Sequence, residues 1–300
     1  MRNFLKVDDL TGDELTAVLD RADELKELWD TNAMPQSLKG KRAALWFYGQ
    51  GFRNRVAFEL GARALGADVS FIPGELGVHE PIEDIGAYLD NWFDFFAIRC
   101  KNHGDLETVA AQTRGPVINA RTSFNHPCEI VGDLQYIRRE RKTLEGLSVV
   151  FVGELTNLCM SWFEAARALP ISVTQVGPAE YLASPAELER LNDGAAGSVK
   201  VSPDLSGSVS RETDVLYTDC WPKGGDAGKT RDAFLPYQVT KDLVLRMNGA
   251  GFFLPCPPIT RGEEIAADSL DTAQYRDYGA KEYLLHAQNA IMERCMGRLD

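Results

Sequence analysis

Ala43-Ala-Leu-Trp-Phe47-Tyr48-Gly-Gln-Gly51-Phe52-Arg53-Asn54-Arg55-Val56-Ala-Phe58-Glu59-Leu60-Gly-Ala-Arg-Ala64 carries the pattern that decides the fold. Ala43 to Phe47 is a short apolar run with strand character, and Tyr48 to Gly51 is a glycine-rich turn. Val56, Leu60 and Ala64 recur four apart and predict a helix that ends near Gly66. Upstream, Thr11-x-x-Glu14 is a capping box that opens a helix with Leu15, Val18, Leu19, Ala22, Leu25 and Trp29 on one face. Downstream, strands are expected at Asp68 to Ile72, Phe95 to Ile98 and Pro116 to Asn119. Helices are expected at Pro81 to Trp92 and Leu106 to Thr113. This alternation implies βαβ units and a mostly parallel sheet. After a helix from Ile130 to Arg141 the pattern restarts with the apolar strand Leu147 to Gly153. Helices at Met160 to Leu169 and Pro185 to Leu191 follow, with strands at Ser172 to Val176, Val199 to Val201, Asp214 to Thr218 and Gly251 to Leu254. Ala273 to Met296 reads as one long terminal helix. The fold class is therefore α/β, in two similar halves.

The chain has 300 residues, a prior of about two domains. It is 44% hydrophobic and 25% charged, as soluble globular proteins are. Lys and Arg number 32 against 44 Asp and Glu, a net charge of −12. Such a surface repels nucleic acid and anionic lipid, so neither is expected as a partner. Any anionic ligand must be caught by a few Arg or Lys in a pocket. No apolar run reaches the roughly 18 residues of a membrane span, and the N-terminus has no apolar signal-peptide core. The 6 cysteines lie far apart without C-x-x-C pairs, which reads as free thiols in a reducing cytoplasm. The 4 histidines show no metal-ligand spacing, so neither metal nor cofactor is expected.

In open parallel sheets ligands bind beyond the carboxyl ends of the strands, so the strand exits carry the chemistry. After the first strand, Gly49-Gln-Gly51-Phe52-Arg53-Asn54-Arg55 offers close backbone approach, helix amides and two forked donors. It reads equally as an anion site or as a plain βα turn with solvated arginines. Arg99 follows the third strand, and Asn125-His126-Pro127-Cys128-Glu129 follows the fourth. Together these place Arg53, Arg99 and His126 on one edge of one sheet. In the second half, Thr218-Asp219-Cys220-Trp221-Pro222-Lys223-Gly224-Gly225 leaves one strand, and Pro255-Cys256-Pro257-Pro258-Ile259-Thr260-Arg261-Gly262-Glu263-Glu264 leaves another. Buried structural roles are the plain reading of Trp221 and Cys256.

This ordered set resembles the aspartate/ornithine carbamoyltransferase family nearly end to end. The family's Ser-Thr-Arg-Thr-Arg stands here as Gly51-Phe52-Arg53-Asn54-Arg55, followed by Phe58-Glu59. Its single Arg after the third strand matches Arg99. Its His-Pro-Cys-Gln matches His126-Pro127-Cys128-Glu129, and its Asn-bearing exit in the second domain matches Gly153-Glu154-Leu155-Thr156-Asn157. Its Thr-Asp-Val-Trp-x-Ser-Met-Gly matches Thr218 to Gly225, and its His-Cys-Leu-Pro-x-x-Arg-Gly-Glu-Glu matches Pro255 to Glu264. The second-half motifs are closer to the ornithine branch. The resemblance implies a first domain of residues 1–135 plus a terminal helix 273–300 that binds carbamoyl phosphate. It implies a second domain, 136–272, for the acceptor, with helices on both faces of each sheet. It also implies a homotrimer in which a neighbour's loop, around Gly77-Val78-His79-Glu80-Pro81, completes each site.

The chemistry so implied is transfer of a carbamoyl group to an amine through a tetrahedral intermediate. On this resemblance Gly51, Phe52, Arg53, Asn54 and Glu129 join Arg99, His126 and Arg261 around carbamoyl phosphate. Arg99 and His126 polarise the carbonyl, and Arg261 clamps from the second domain. Asn157, Asp219, Lys223 and Cys256 meet the acceptor, and Arg99, His126, Cys256 and Arg261 form the catalytic set. Four departures fall at the site. Gly51 and Phe52 delete two hydroxyls. Glu129 replaces Gln and brings negative charge unless an Arg neutralises it or it takes up a proton. Lys223 replaces Ser, where it either repels the ammonium of ornithine or turns to solvent. Pro255 replaces His. The expectation is a carbamoyltransferase with an altered small amine acceptor, one bearing an anionic group. A non-catalytic phosphate-binding homologue and transfer of an amidino-type group are the alternatives.

Overall fold

The computed structural model describes residues 2–223 and 227–299. The chain divides into two compact units, Met1–Lys142 with Ala280–Asp300, and Thr143–Gly279. In the first unit the order is α1 (Gly12–Asp30), β1 (Arg42–Phe47), α2 (Phe52–Ala64), β2 (Asp68–Pro73), α3 (Ile82–Leu89), β3 (Phe95–Arg99), α4 (His103–Gln112), β4 (Val117–Arg121) and α5 (Pro127–Arg141). The second holds β5 (Ser148–Val152), α6 (Asn157–Ala168), β6 (Ser172–Val176), α7 (Pro185–Asn192), β7 (Ser198–Ser202), α8 (Leu205–Ser208), β8 (Val215–Thr218), α9 (Ala227–Phe234), α10 (Lys241–Val244) and β9 (Phe252–Pro255). The chain then returns to the first unit as α11 (Tyr283–Cys295).

Both sheets are parallel, ordered β2-β1-β3-β4 and β7-β6-β5-β8-β9. The inner strands are apolar because both faces are covered; β8 is buried along its whole length, whereas the edge strand β2 is mostly exposed. In the first sheet the exits of β1, β3 and β4 therefore lie side by side. In the second, those of β5, β8 and β9 do. These two rows are where the sequence concentrates its polar motifs.

The capping box is formed: the Thr11 hydroxyl accepts from the Glu14 amide and a Glu14 carboxylate oxygen accepts from the Thr11 amide. Leu15, Val18, Leu19, Ala22 and Leu25 are the buried face of α1. Helix α11 packs on α1, α2 and α5. Its approach to α2 needs Gly61, where a Cβ would stand 2.0 Å from Asn289 Oδ1.

The terminal helix is shorter than its periodicity suggested. Residues 274–276 are committed elsewhere: the Phe253 amide donates to the Gln274 carbonyl (2.7 Å) and the Arg276 amide to the Phe253 carbonyl (2.9 Å). That pairing holds residues up to Gly279 with the second unit, so the division falls after Lys142 and Gly279 rather than after 135 and 272. A cut at 135 would split α5, which starts at Pro127, three residues before its expected start. Proline fits that first turn, where its missing N–H is not needed. Helix α9 had no periodic signal.

Candidate active site

In the first unit, Gly51 caps α2 in the left-handed region, φ +37°. A Cβ there would lie 2.9 Å from both Cζ and Nε of Arg99. The guanidinium of Arg99 thus occupies the space that the family's Ser side chain would need. Gly51→Ala should cost about 1–2 kcal/mol, since it combines left-handed strain with a displaced side chain. Thermal unfolding, which would also show less stabilisation by added phosphate, checks this.

Arg99 sits over the Tyr48 ring, 5.5 Å from guanidinium carbon to centroid. Burial, and next the charge of Arg121, hold it below the ordinary arginine value. Arg53 lies over the exposed ring of Phe52 at 5.0 Å, so the residue that replaces Thr supplies a π face instead of a hydroxyl. The Asn54 side chain points inward. Its amide donates to the Ala120 carbonyl (2.6 Å) and its oxygen accepts from Gln288 of α11 (2.7 Å). It ties α2 to β4 and α11.

His126 caps α5 and is buried. Burial pushes its imidazole down to about 4, against the pull of Glu129. It is therefore neutral at pH 7 and offers one N–H. Its Nε2 is 4.0 Å from Glu129 Oε2. Glu129 Oε1 is 3.0 Å from Lys281 Nζ, and the same ammonium lies 2.7 Å from Asp133 Oδ1. Burial raises the Glu129 carboxyl. The charge of Lys281 first, and also that of Arg53, outweigh this and leave it below the ordinary value. The carboxylate is thus neutralised mainly by a lysine, rather than by an arginine alone or by a proton. Tyr48, Arg121 and Lys281 join the site without having been singled out by the sequence. The expected strand stopped at Asn119, two residues short of Arg121, which ends β4 in register with Arg99. Lys281 left no local signal, since it follows the other unit in the chain.

In the second unit, Asn157 opens α6 under the Thr156 cap and is buried. Asp219 Oδ1 accepts from the Cys220 amide at 2.8 Å. The Cys220 thiol donates to the Pro258 carbonyl (3.1 Å) and the Cys256 amide to the Thr218 carbonyl (2.8 Å), which ties the β8 and β9 exits together. Burial, then Asp219, push the Cys220 thiol up to about 11, so it is no thiolate nucleophile. Burial, then Asp219, also raise the Glu154 carboxyl. Trp221 and Cys256 are buried. Lys223 and Arg261 are exposed, and Gly224 and Gly225 lie outside the described residues. His79 and Glu80 are exposed on the segment before α3.

Residues 2–139 match the family described as aspartate/ornithine carbamoyltransferase, carbamoyl-P binding domain. Residues 145–295 match its Asp/Orn binding domain. The chain belongs to the aspartate/ornithine carbamoyltransferase family. The ornithine carbamoyltransferase of Carboxydothermus hydrogenoformans is 34% identical over 99% of this chain and 98% of its own. That of Acinetobacter baylyi is 33% identical over 98% of this chain and 96% of its own. Among solved structures, ornithine carbamoyltransferase from Pyrococcus furiosus superposes with a TM-score of 0.92 at 30% identity, covering 100% of this chain and 98% of its own. The two-domain parallel architecture is thus that of the family, and the chain is a carbamoyltransferase whose acceptor is a separate question. No helix among the described residues is long and apolar enough to cross a membrane.

Proposed function

We propose that this carbamoyltransferase takes its carbamoyl group from carbamoyl phosphate and passes it to the amine of a small acceptor other than ornithine, one that carries an anionic group. The observation that carries the donor half is the set of Arg53, Arg99 and neutral His126 at neighbouring strand exits, in a chain whose net charge is −12. The amine nitrogen attacks the carbonyl carbon, the C–O bond to phosphate breaks, and the amine's proton leaves with the phosphate. The arginines offset the charge that gathers on the leaving group. His126, as a neutral N–H donor, polarises the carbonyl oxygen. Ionised Glu129 can only accept, and so it holds the carbamoyl NH2.

For the acceptor, Glu154 and Asp219 suit its amine, which must be uncharged when it attacks the carbonyl. Lys223, where the family motif has Ser, suits a carboxylate or another anion. Incubating the enzyme with carbamoyl phosphate and a panel of amines, with phosphate release as the signal, tests the reading. Release with an anionic amine and poor use of ornithine is the expected outcome. Efficient citrulline formation would overturn the acceptor half. Phosphate binding without release to any amine would favour a non-catalytic homologue. Arg53→Ala should weaken carbamoyl phosphate binding by about 2 kcal/mol or more, the scale of a lost charged partner, as read by calorimetry.

The assembly we propose is a homotrimer in the cytoplasm, built through the first unit. Supporting it, Phe52, Val56 and Leu60 stand four apart on α2 and are 62%, 41% and 48% exposed. Phe71 on the edge strand β2, Val78, Tyr88 and Trp92 are exposed as well. Exposed large apolar side chains, where contiguous, mark interaction surfaces. Sedimentation velocity should report a trimer that Leu60→Asp dissociates; a stable monomer of the unmodified chain would end the assembly and the role given to His79 and Glu80.

A further inference from the structure

Two guanidinium groups stand together at the donor site. Arg99 ends β3, Arg121 ends β4, and the two are partners in the parallel register. Both are organised by Tyr48, the first residue after β1. Arg121 Nη1 donates to the Tyr48 hydroxyl at 2.7 Å, while Arg99 lies over the face of the same ring. The Tyr48 amide donates to the Arg99 carbonyl (3.1 Å) and the Cys100 amide to the Arg121 carbonyl (3.1 Å), so backbone as well as side chain fixes the cluster. Among the described residues neither arginine is paired with a carboxylate, and Arg99 Nε is buried without a hydrogen-bond partner.

Like charges side by side on neighbouring strands repel, and burial sharpens the repulsion. The charge of Arg121 weighs against protonation of both Arg99 and His126. Nearby, Lys281 is spent on Glu129 and Asp133, and Lys101, 5.4 Å from the Tyr48 ring centroid, is spent on Glu75 at 2.8 Å. What remains uncompensated is the arginine cluster. A dianion with several acceptor oxygens would satisfy it, and bidentate guanidinium contacts suit phosphoryl oxygens best.

We propose that Arg121 is a donor-binding residue that contacts the phosphoryl group of a dianionic acyl-phosphate donor alongside Arg53 and Arg99, with Tyr48 as its positioning residue. It replaces by charge the two hydroxyls that Gly51 and Phe52 no longer supply. Loss of the Ser side chain lets Arg99 settle over Gly51, and Arg121 adds a second fork next to it. The inference rests on the donor assignment above.

Calorimetry with carbamoyl phosphate and with inorganic phosphate tests it, on the unmodified enzyme and on Arg53→Ala, Arg121→Met, Arg121→Lys and Tyr48→Phe. Arg121→Met should weaken both anions by about tenfold or more, the effect of a lost hydrogen bond to a charged group. Arg121→Lys should fall between, since it keeps charge without the fork, and it decides the matter if the Met variant fails to fold. Tyr48→Phe should weaken both anions in the native background and add nothing further to Arg121→Met. An independent structural role for Tyr48 would add in full. Both Arg121 variants within about twofold of the unmodified enzyme, the scatter of such measurements, beside a large loss for Arg53→Ala, would overturn the role of Arg121 and leave the donor assignment standing. Failure of the unmodified enzyme to bind either anion would overturn both.

Discussion

Lys281→Met is expected to destabilise the first unit by about 3–5 kcal/mol at pH 7, the usual cost of removing one partner from a buried ion pair. The lysine lies within 3.0 Å of Glu129 and 2.7 Å of Asp133, with side-chain exposures of 13%, 11% and 1% respectively. Its removal leaves two carboxylates in a space with little water, facing each other's charge. The pH dependence gives the mechanism away. In the native protein the Glu129 carboxyl is held below its unfolded value, so its contribution is complete above about pH 4.5 and is lost as pH falls through the lower folded value. In the variant the carboxyl has lost its main counter-charge and its value moves up. Folding then improves as the pH falls and a proton replaces the ammonium. The gap between variant and native protein should be widest near neutrality and should narrow below about pH 5. Chemical denaturation across pH measures it. Glu129→Gln combined with Lys281→Met should recover part of the loss, and adding Asp133→Asn more. A loss independent of pH, with no recovery in the combinations, would mean that the lysine acts through packing of its stem alone.

How much of this site was legible beforehand follows from the range of the interactions involved. Arg53, Arg99 and His126 were found because strand–helix alternation alone puts their exits on one edge, and the register of β1, β3 and β4 places them there. Position within a motif does not say which way the Asn54 side chain turns. Only the packing of α11 shows that its amide is taken by Ala120 and Gln288. Lys281 left no signal for a similar reason: nothing local marks a lysine on the last return of the chain as the partner of a glutamate on α5. The extent of the terminal helix failed differently. The helix was expected to run from Ala273 through Tyr278, but pairing of Tyr275 with Phe253 claimed the backbone first, and tertiary hydrogen bonding outweighed propensity.

His286→Leu should make the protein more stable, and most of all in mild acid. His286 is fully buried on α11, edge-on to Trp29 at 6.1 Å and to Tyr283 at 6.3 Å. Neither ring nitrogen makes a hydrogen bond. The nearest carboxylate oxygen, on Glu282, is 3.7 Å away, too far for one. Burial pushes the imidazole down to about 4, with the charge of Glu282 opposing it and that of Lys26 assisting. The unfolded chain takes up this proton near pH 6.5, well before the folded protein does. Stability is therefore complete above about pH 6.5, falls as the pH drops towards 4, and changes no further once both states are protonated. A displacement of that size corresponds to about 3 kcal/mol across the window. Leucine removes the titration and also relieves two unsatisfied polar atoms, at the cost of a small mismatch in shape. Urea denaturation at pH 7.5 and pH 4.5 should show a modest gain for the variant at the higher value and a gain larger by about 2–3 kcal/mol at the lower. Equal differences at both values would show that the imidazole does not set the acid limb of stability, and the remaining buried histidine, His126, would be the next group to replace.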